Sequence, residues 1–204
     1  MTYERITHGM LIVVVLSVLA GCASPSQPTR FYRLDGEPRG AELVDLKPLP
    51  GITLIGISTV ELAGYLDRPQ IVERRSPHRL ELYEFDQWAG SLQENLRLLM
   101  TDRLQQQLES MRVIAYPWHQ SVMPDFELHL YISRFDVEGE QIRLQARWSL
   151  IERSDNRLVA MQRMTVLEPS SGDGVEAGVS AANRAVSKLA VQIASRISSG
   201  VSGP

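Results

Sequence analysis

One cysteine, Cys22, stands in a chain of 204 residues, between an apolar run and a polar one. A lone thiol cannot close a disulfide within its own chain, so whatever folds here must fold on packing alone. The run before it, Met10 to Ala20, reads MLIVVVLSVLA, with one hydroxyl and no charge. A helix that spans a bilayer needs about 18 or more apolar residues, and this run is shorter. Arg5 and His8 precede it, small residues Ala20 and Gly21 end it, and the SPSQPT that follows is too polar to continue a buried segment. That layout is an export signal over residues 1–21, and the folded domain starts after it.

Leu19-Ala20-Gly21-Cys22 resembles a bacterial lipobox. The resemblance implies a diacylglyceryl group on the Cys22 thiol, cleavage before Cys22 and acylation of the new amino group. The chemistry needs a thiol because the thiolate is the nucleophile that takes the lipid. Acylation also removes a free thiol from an oxidising compartment. Each buried methylene contributes about 0.8 kcal/mol, and two chains already anchor stably, so a triacylated Cys22 stays in its membrane. Ala23 and Ser24 follow the cysteine, where an aspartate marks retention at the inner membrane in enteric-type bacteria. The expected address is therefore the periplasmic face of the outer membrane. The covalent lipid on Cys22 is the one non-protein group expected; the residues point to no cofactor and no metal.

The chain carries a net charge of −3, and Glu4 and Arg5 cancel within the leader. A weakly acidic domain does not neutralise phosphates, so nucleic acid is not an expected partner. Residues 22–30 read as a lipidated tether, 31–199 as a single domain, and 200–204 as a flexible tail, with fraying from Ser198.

Within the domain, Ile52 to Leu62 is β-branched and suits a buried strand, with Gly56 at a bulge. Gln70–Arg75 and Arg79–Phe85 flank Ser76-Pro77-His78 and read as a strand pair. From Asp86 to Met111, Leu92, Leu96, Leu99, Leu104, Leu108 and Met111 recur at helical spacing. Phe126, Leu128, Leu130 and Ile132 alternate, and Phe135 and Val137 fall out of phase, which predicts a bulge near Ser133-Arg134. Ile142 to Leu150 alternates again, and Leu158 to Leu167 is a further strand. Val175, Val179, Ala182, Val186, Leu189, Ile193 and Ile197 form one apolar stripe of a final helix. Two one-faced helices and a mostly antiparallel sheet make an α+β two-layer sandwich, with both long helices on one face and the other face partly free for a partner.

The residues carry little chemistry. HExxH, CxxC and GxSxG are absent from the sequence. His129 alternates with apolar positions and reads as a half-exposed strand histidine. Gly172-Asp173-Gly174-Val175-Glu176-Ala177 matches G-x-G-x-x-A, but no second strand follows to make the βαβ unit that a dinucleotide needs. It reads as a turn with Asp173 capping the helix. Glu81 with Glu84, and Asp136 with Glu138, read as solvated surface. The protein is not expected to be an enzyme.

Residues 65 to 104, YLDRPQIVERRSPHRLELYEFDQWAGSLQENLRLLMTDRL, closely resemble the ABC-type transport auxiliary lipoprotein family (PqiC/YmbA type). The likeness continues at Val113 to Trp118, at Ser133-Arg134-Phe135, at Ala146-Arg147-Trp148 and in the alanine-rich last helix. Ala63-Gly64 departs from it, standing where a proline and a polar residue are expected. The resemblance implies a non-catalytic lipoprotein subunit of an intermembrane lipid transport system. Its partners would be an MCE-domain tunnel protein and an integral inner-membrane component, and it would dock the tunnel to the outer membrane. It also implies a ring-like homo-oligomer, since a symmetric tunnel calls for a symmetric cap. Tyr65, Leu66, Asp67, Arg68, Pro69 and Gln70 are candidate partner-binding residues, because aromatic and arginine side chains concentrate at interface hot spots. The same six residues also read as a structural corner. Trp118, after Pro117 in a loop, is a further interface candidate, while Trp88 and Trp148 read as core. A second reading is a lipid-binding shuttle or gate, which would need its own acyl-chain pocket between helices and sheet.

Overall fold

Strand periodicity and two helical stripes resolve into eight strands and two helices among the residues the structure describes, 27–34, 53–119 and 121–201 of a computed structural model. In chain order they are β1 (Arg30–Tyr32), β2 (Thr53–Leu62), β3 (Gln70–Ser76), β4 (Arg79–Trp88), α1 (Leu92–Gln107), β5 (Met111–Ala115), β6 (Phe126–Glu138), β7 (Gln141–Glu152), β8 (Arg157–Pro169) and α2 (Gly174–Val201). The leader and Cys22 lie outside the described residues. The last helix runs to Val201, through the first two positions of the expected tail.

The α+β two-layer arrangement is as expected, and the sheet is mixed. The β3–β4, β6–β7 and β7–β8 ladders are antiparallel, while β1–β4, β2–β5, β2–β6 and β3–β6 run parallel. Parallel neighbours need a crossover, and the chain supplies one. After β2 it makes the β3–β4 hairpin, climbs through α1 and returns as β5 beside β2.

Strand β6 holds the sheet together. One edge pairs with β7 along its whole length. The other edge is shared: residues 126 to 132 pair with β2, and Val137 pairs with Glu73 of β3. Strands β2 and β3 thus lie end to end along β6, with residues 63–69 bridging the gap. The register of β6 shifts between Ile132 and Arg134, at the predicted bulge.

Helix α1 starts later than its stripe suggested, because Asp86 and Trp88 are claimed by β4. Asp86 accepts two hydrogen bonds from Arg30 of β1, and the Trp88 ring stacks on Phe135 at 6.1 Å. Ser91 then caps the helix, accepting from the Glu94 N–H at 3.4 Å. The other end is tied by Gln105, which accepts from the Val113 N–H at 2.9 Å and donates to the Met111 carbonyl at 3.2 Å. These bonds dock β5, a strand too short to announce itself by alternation. Helix α1 lies on β2 and β5, α2 lies on β7 and β8, and the helices touch each other. Ala181, Ala185 and Ala190 of α2 are fully buried, and their small side chains let α2 sit close to its neighbours. Among the described residues, no helix is long and apolar enough to cross a membrane.

Gly56 does not sit at a bulge. It pairs regularly with Ile114 on one side and Glu127 on the other, and the register shift of β2 falls later, between Ile57 and Val60. The glycine is needed for space. A Cβ there would lie 2.7 Å from Pro124 Cγ and 2.8 Å from Trp118 Cζ3. Gly56→Val is expected to lift Trp118 off the strand and cost about 1–3 kcal/mol, the usual penalty for overpacking. Tryptophan emission should shift to the red and the urea midpoint should fall; unchanged values for both would disprove this contact.

Candidate functional site

Residues 63–69 cross the fork where β2 leaves β6 and β3 rejoins it. A gap in a ladder leaves backbone groups to satisfy, and this segment supplies partners. The Ala63 N–H donates to the Ile132 carbonyl at 2.9 Å, and the Pro69 carbonyl accepts from the Trp88 N–H at 2.7 Å. Tyr65 turns inward. Its hydroxyl donates to Asp136 Oδ2 at 2.8 Å and lies 3.3 Å from the carbonyl of Ser133, the bulge residue.

Asp136 is the hub of the fork, and only 1% of it is exposed. Arg74 Nη2 donates to its Oδ2 at 3.0 Å, and Arg134 Nη2 to its Oδ1 at 2.9 Å. The Arg74 guanidinium also stands over the Tyr65 ring, 5.7 Å from its centre. Burial pushes the Asp136 carboxyl up, but hydrogen bonds from Arg134, Arg74 and Tyr65 outweigh it and hold the group below the usual carboxylate range. The Tyr65 hydroxyl is pushed up to about 12, first by burial and then by its bond to the Asp136 carboxylate. The sequence-based reading of Asp136 as solvated surface is therefore corrected. Its partners Tyr65 and Arg74 are 71 and 62 residues away in the chain, so no local pattern could reveal them.

The six candidate residues of this loop divide by direction. Tyr65 enters the cluster, and Leu66 is 2% exposed in the core. Gln70 opens β3 opposite Gln87. Asp67 and Pro69 face solvent, and Arg68 is half-buried, its Nε buried without a hydrogen-bond partner among the described residues. Only Asp67, Arg68 and Pro69 present an outer rim. Trp118 is elsewhere, half-buried over Gly56 and edge-on to Tyr116 at 5.2 Å. Six residues of strand separate Gly56 from Leu62, about 20 Å, and Tyr65 sits in the turn beyond that end, so the two candidate regions lie toward opposite ends of β2.

Other motifs resolve simply. His129 is half-exposed on β6; its Nδ1 lies 2.9 Å from Ser58 Oγ and its Nε2 3.4 Å from Glu127. Ser58 directs its own proton to the Leu128 carbonyl at 3.1 Å, so this trio ties β2 to β6 beside the register shift. Gly172 and Gly174 have φ of 133° and 85°, which makes the glycine-rich stretch a turn into α2. Among the described residues, no cluster of histidine, cysteine and acidic side chains is arranged to hold a metal.

Helices cover one sheet face. On the other, Tyr131, Ser133, Gln145, Arg147 and Arg163 line an open pocket of about 320 Å³, with the Arg147 guanidinium 5.3 Å from the Tyr131 ring centre. The sequence signal for this surface is the polar half of each alternating strand.

A family model described as the ABC-type transport auxiliary lipoprotein component matches residues 32–194. The chain belongs to this family. It is an auxiliary lipoprotein component of ABC-type transport, a family of the membrane-anchored envelope lipoproteins. No curated protein matches the auxiliary lipoprotein by sequence. Among solved structures, it resembles the crystal structure of an uncharacterized protein with a TM-score of 0.69 and 17% identity, over 84% of this chain and 99% of the other. It also resembles a protein from Xanthomonas campestris with a TM-score of 0.58 and 21% identity, over 72% of this chain and 86% of that one. At these identities the likeness concerns the fold alone.

Proposed function

We propose that the mature protein, anchored through a triacylated Cys22 in the periplasmic face of the outer membrane, docks an MCE-domain tunnel protein there. An integral inner-membrane component completes the system, and several copies of the chain form a ring that caps the tunnel. The observation that carries this reading is a lipobox cysteine placed ten residues ahead of a domain that matches an ABC-transport auxiliary family from residue 32 to 194. The packing near the fork is too tight for an acyl chain, and the larger groove between α2 and β8 is lined mostly by polar side chains, among them Gln162, Gln192 and Arg196. Where α2 meets the sheet, the space bounded by Ile71, Val72, Trp88, Phe135 and Val179 holds about 10 Å³. That is room for about one water and not for an acyl chain. The uncovered sheet face offers an arginine and tyrosine surface of the kind partners use.

The test is a pull-down of the tagged protein from detergent-solubilised envelope, with mass spectrometry of the N-terminal peptide and of everything that co-purifies. A triacylated Cys22 peptide and a stoichiometric MCE-domain protein are the expected result. Bound phospholipid without any protein partner would overturn docking in favour of the shuttle.

A further inference from the structure

The sheet ends in β8, thirteen residues long, which pairs with β7 on one side and with nothing on the other among the described residues. A free edge presents a row of unsatisfied N–H and C=O groups, and proteins that leave such an edge unused blunt it with lysine, proline or a bulge. Strand β8 contains no lysine, its charged residues are Arg157, Arg163 and the inward-turned Glu168 held by Arg184 and Lys188, and its one proline, Pro169, is its last residue, so the stretch from Leu158 to Leu167 carries Arg163 as its one charge. Its irregularity is confined to the start, and from Ala160 to Pro169 the ladder is unbroken.

Among the described residues, both sides of this edge are open. Toward the helices, a groove of about 650 Å³ runs between β8 and α2, lined by Gln162, Met164, Thr165, Val191, Gln192 and Arg196. Toward the uncovered face, Met161 is 62% and Leu167 is 45% exposed. Between those two stands Arg163, directly across the ladder from Arg147. Like charges placed opposite each other repel. Among the described residues no carboxylate pairs with Arg147, Arg163 or Arg196, although the chain as a whole is acidic.

We propose that the β8 edge binds an extended segment of a partner protein as an added strand, with acidic side chains toward Arg147 and Arg163 and uncharged ones over Met164 and Val191 in the groove. The two-residue period of a strand imposes that alternation. Main-chain bonds to β8 supply affinity, and the groove and the arginine pair select the sequence. The stretch from Met161 to Leu167 is about 20 Å long, which suits a segment of about six to eight residues. The site rests on this geometry; that its occupant belongs to the tunnel protein rests on the docking reading above.

The test uses the full mature protein in detergent and a fluorescent octapeptide of alternating glutamate and valine, with an alternating lysine and valine peptide as control. Fluorescence anisotropy should show binding of the glutamate peptide only, and hydrogen exchange of β8 amides should slow on binding. Arg163→Glu, at an exposed position, should keep the wild-type urea midpoint and weaken binding by at least about tenfold. The double variant Arg147→Glu with Arg163→Glu should bind the lysine peptide instead. Equal binding of both peptides, or indifference to Arg163→Glu, would overturn the site. So would β8 amides that are already protected without peptide in a concentration-dependent way, which would put a second copy of the chain on this edge. A wild-type protein that binds the peptide but brings down no tunnel protein would support the site while removing the docking reading.

Discussion

Asp136→Ala is expected to destabilise the domain by about 3–5 kcal/mol, the range for removing one partner of a buried ion pair. The magnitude follows from what is left behind. Arg74 and Arg134 both donate to this carboxylate, and their side chains are 14% and 22% exposed, so neither can recover full hydration without moving. Tyr65 loses its acceptor at the same time. With a urea dependence of about 2 kcal/mol per molar, the midpoint should fall by about 1.5–2.5 M. Tyr65→Phe removes a single hydrogen bond from the same cluster and should cost about 1 kcal/mol. An Asp136→Ala midpoint indistinguishable from wild type would mean that the fork is held by its backbone alone.

The same cluster sets an acid limit. Asp136 in the folded protein titrates below an ordinary carboxylate, so on acidification the unfolded chain takes up that proton first. Its contribution is complete above about pH 4 and is lost as the pH falls through the lower folded value. Asp86, Glu138 and Glu168 are lowered too, by hydrogen bonds from Arg30, Arg143 and Lys188 respectively, so the wild type as a whole should lose stability in the same direction. Tyr65→Phe should soften the acid dependence, and Asp136→Ala should soften it most. Urea midpoints at pH 7 and at pH 3.5 for the three proteins separate this carboxylate from the others.

The second large effect is on location. On the anchoring proposed above, Cys22→Ala is expected to leave the outer-membrane fraction altogether. With the thiol gone there is no site for the diacylglyceryl group, and the remaining apolar run of Met10–Ala20 is too short to serve as a spanning helix. The loss is all-or-none because two or more acyl chains anchor stably and none does not anchor at all. Density-gradient fractions probed for the wild type and the variant give the answer directly. A variant that still migrates with outer membrane would show that the domain binds there by its own surface, and Cys22 would no longer be the anchor. The exposed Phe31 on β1, close after the tether, is the first residue to examine in that event.

Periodicity carried a large part of the fold. The stripe from Val175 to Ile197 and the alternation of β6 and β7 are local patterns, imposed by one apolar layer on one face, and they mark elements that the tertiary structure keeps. The bulge at Ser133 was legible for the same reason, since a change of phase within one strand needs no partner to be seen. The start of α1 was not, because the stripe cannot tell where β4 ends; Trp88 is held in the sheet by Phe135, which lies far along the chain. Gly56 was legible as an anomaly and not as its cause, since the ring that needs the space belongs to Trp118.

Sequence by itself therefore determined the lone cysteine and its lipobox-like motif, the α+β class and the family, because each is written in contiguous residues or in a regular period. Tertiary structure alone decided the parallel pairings, the fork on β6, the burial of Asp136 and the open edge at β8. Those depend on which strands become neighbours. Neighbours are chosen by the summed packing of two helices on one sheet face, and contacts between residues 62 to 71 positions apart leave no trace in local spacing.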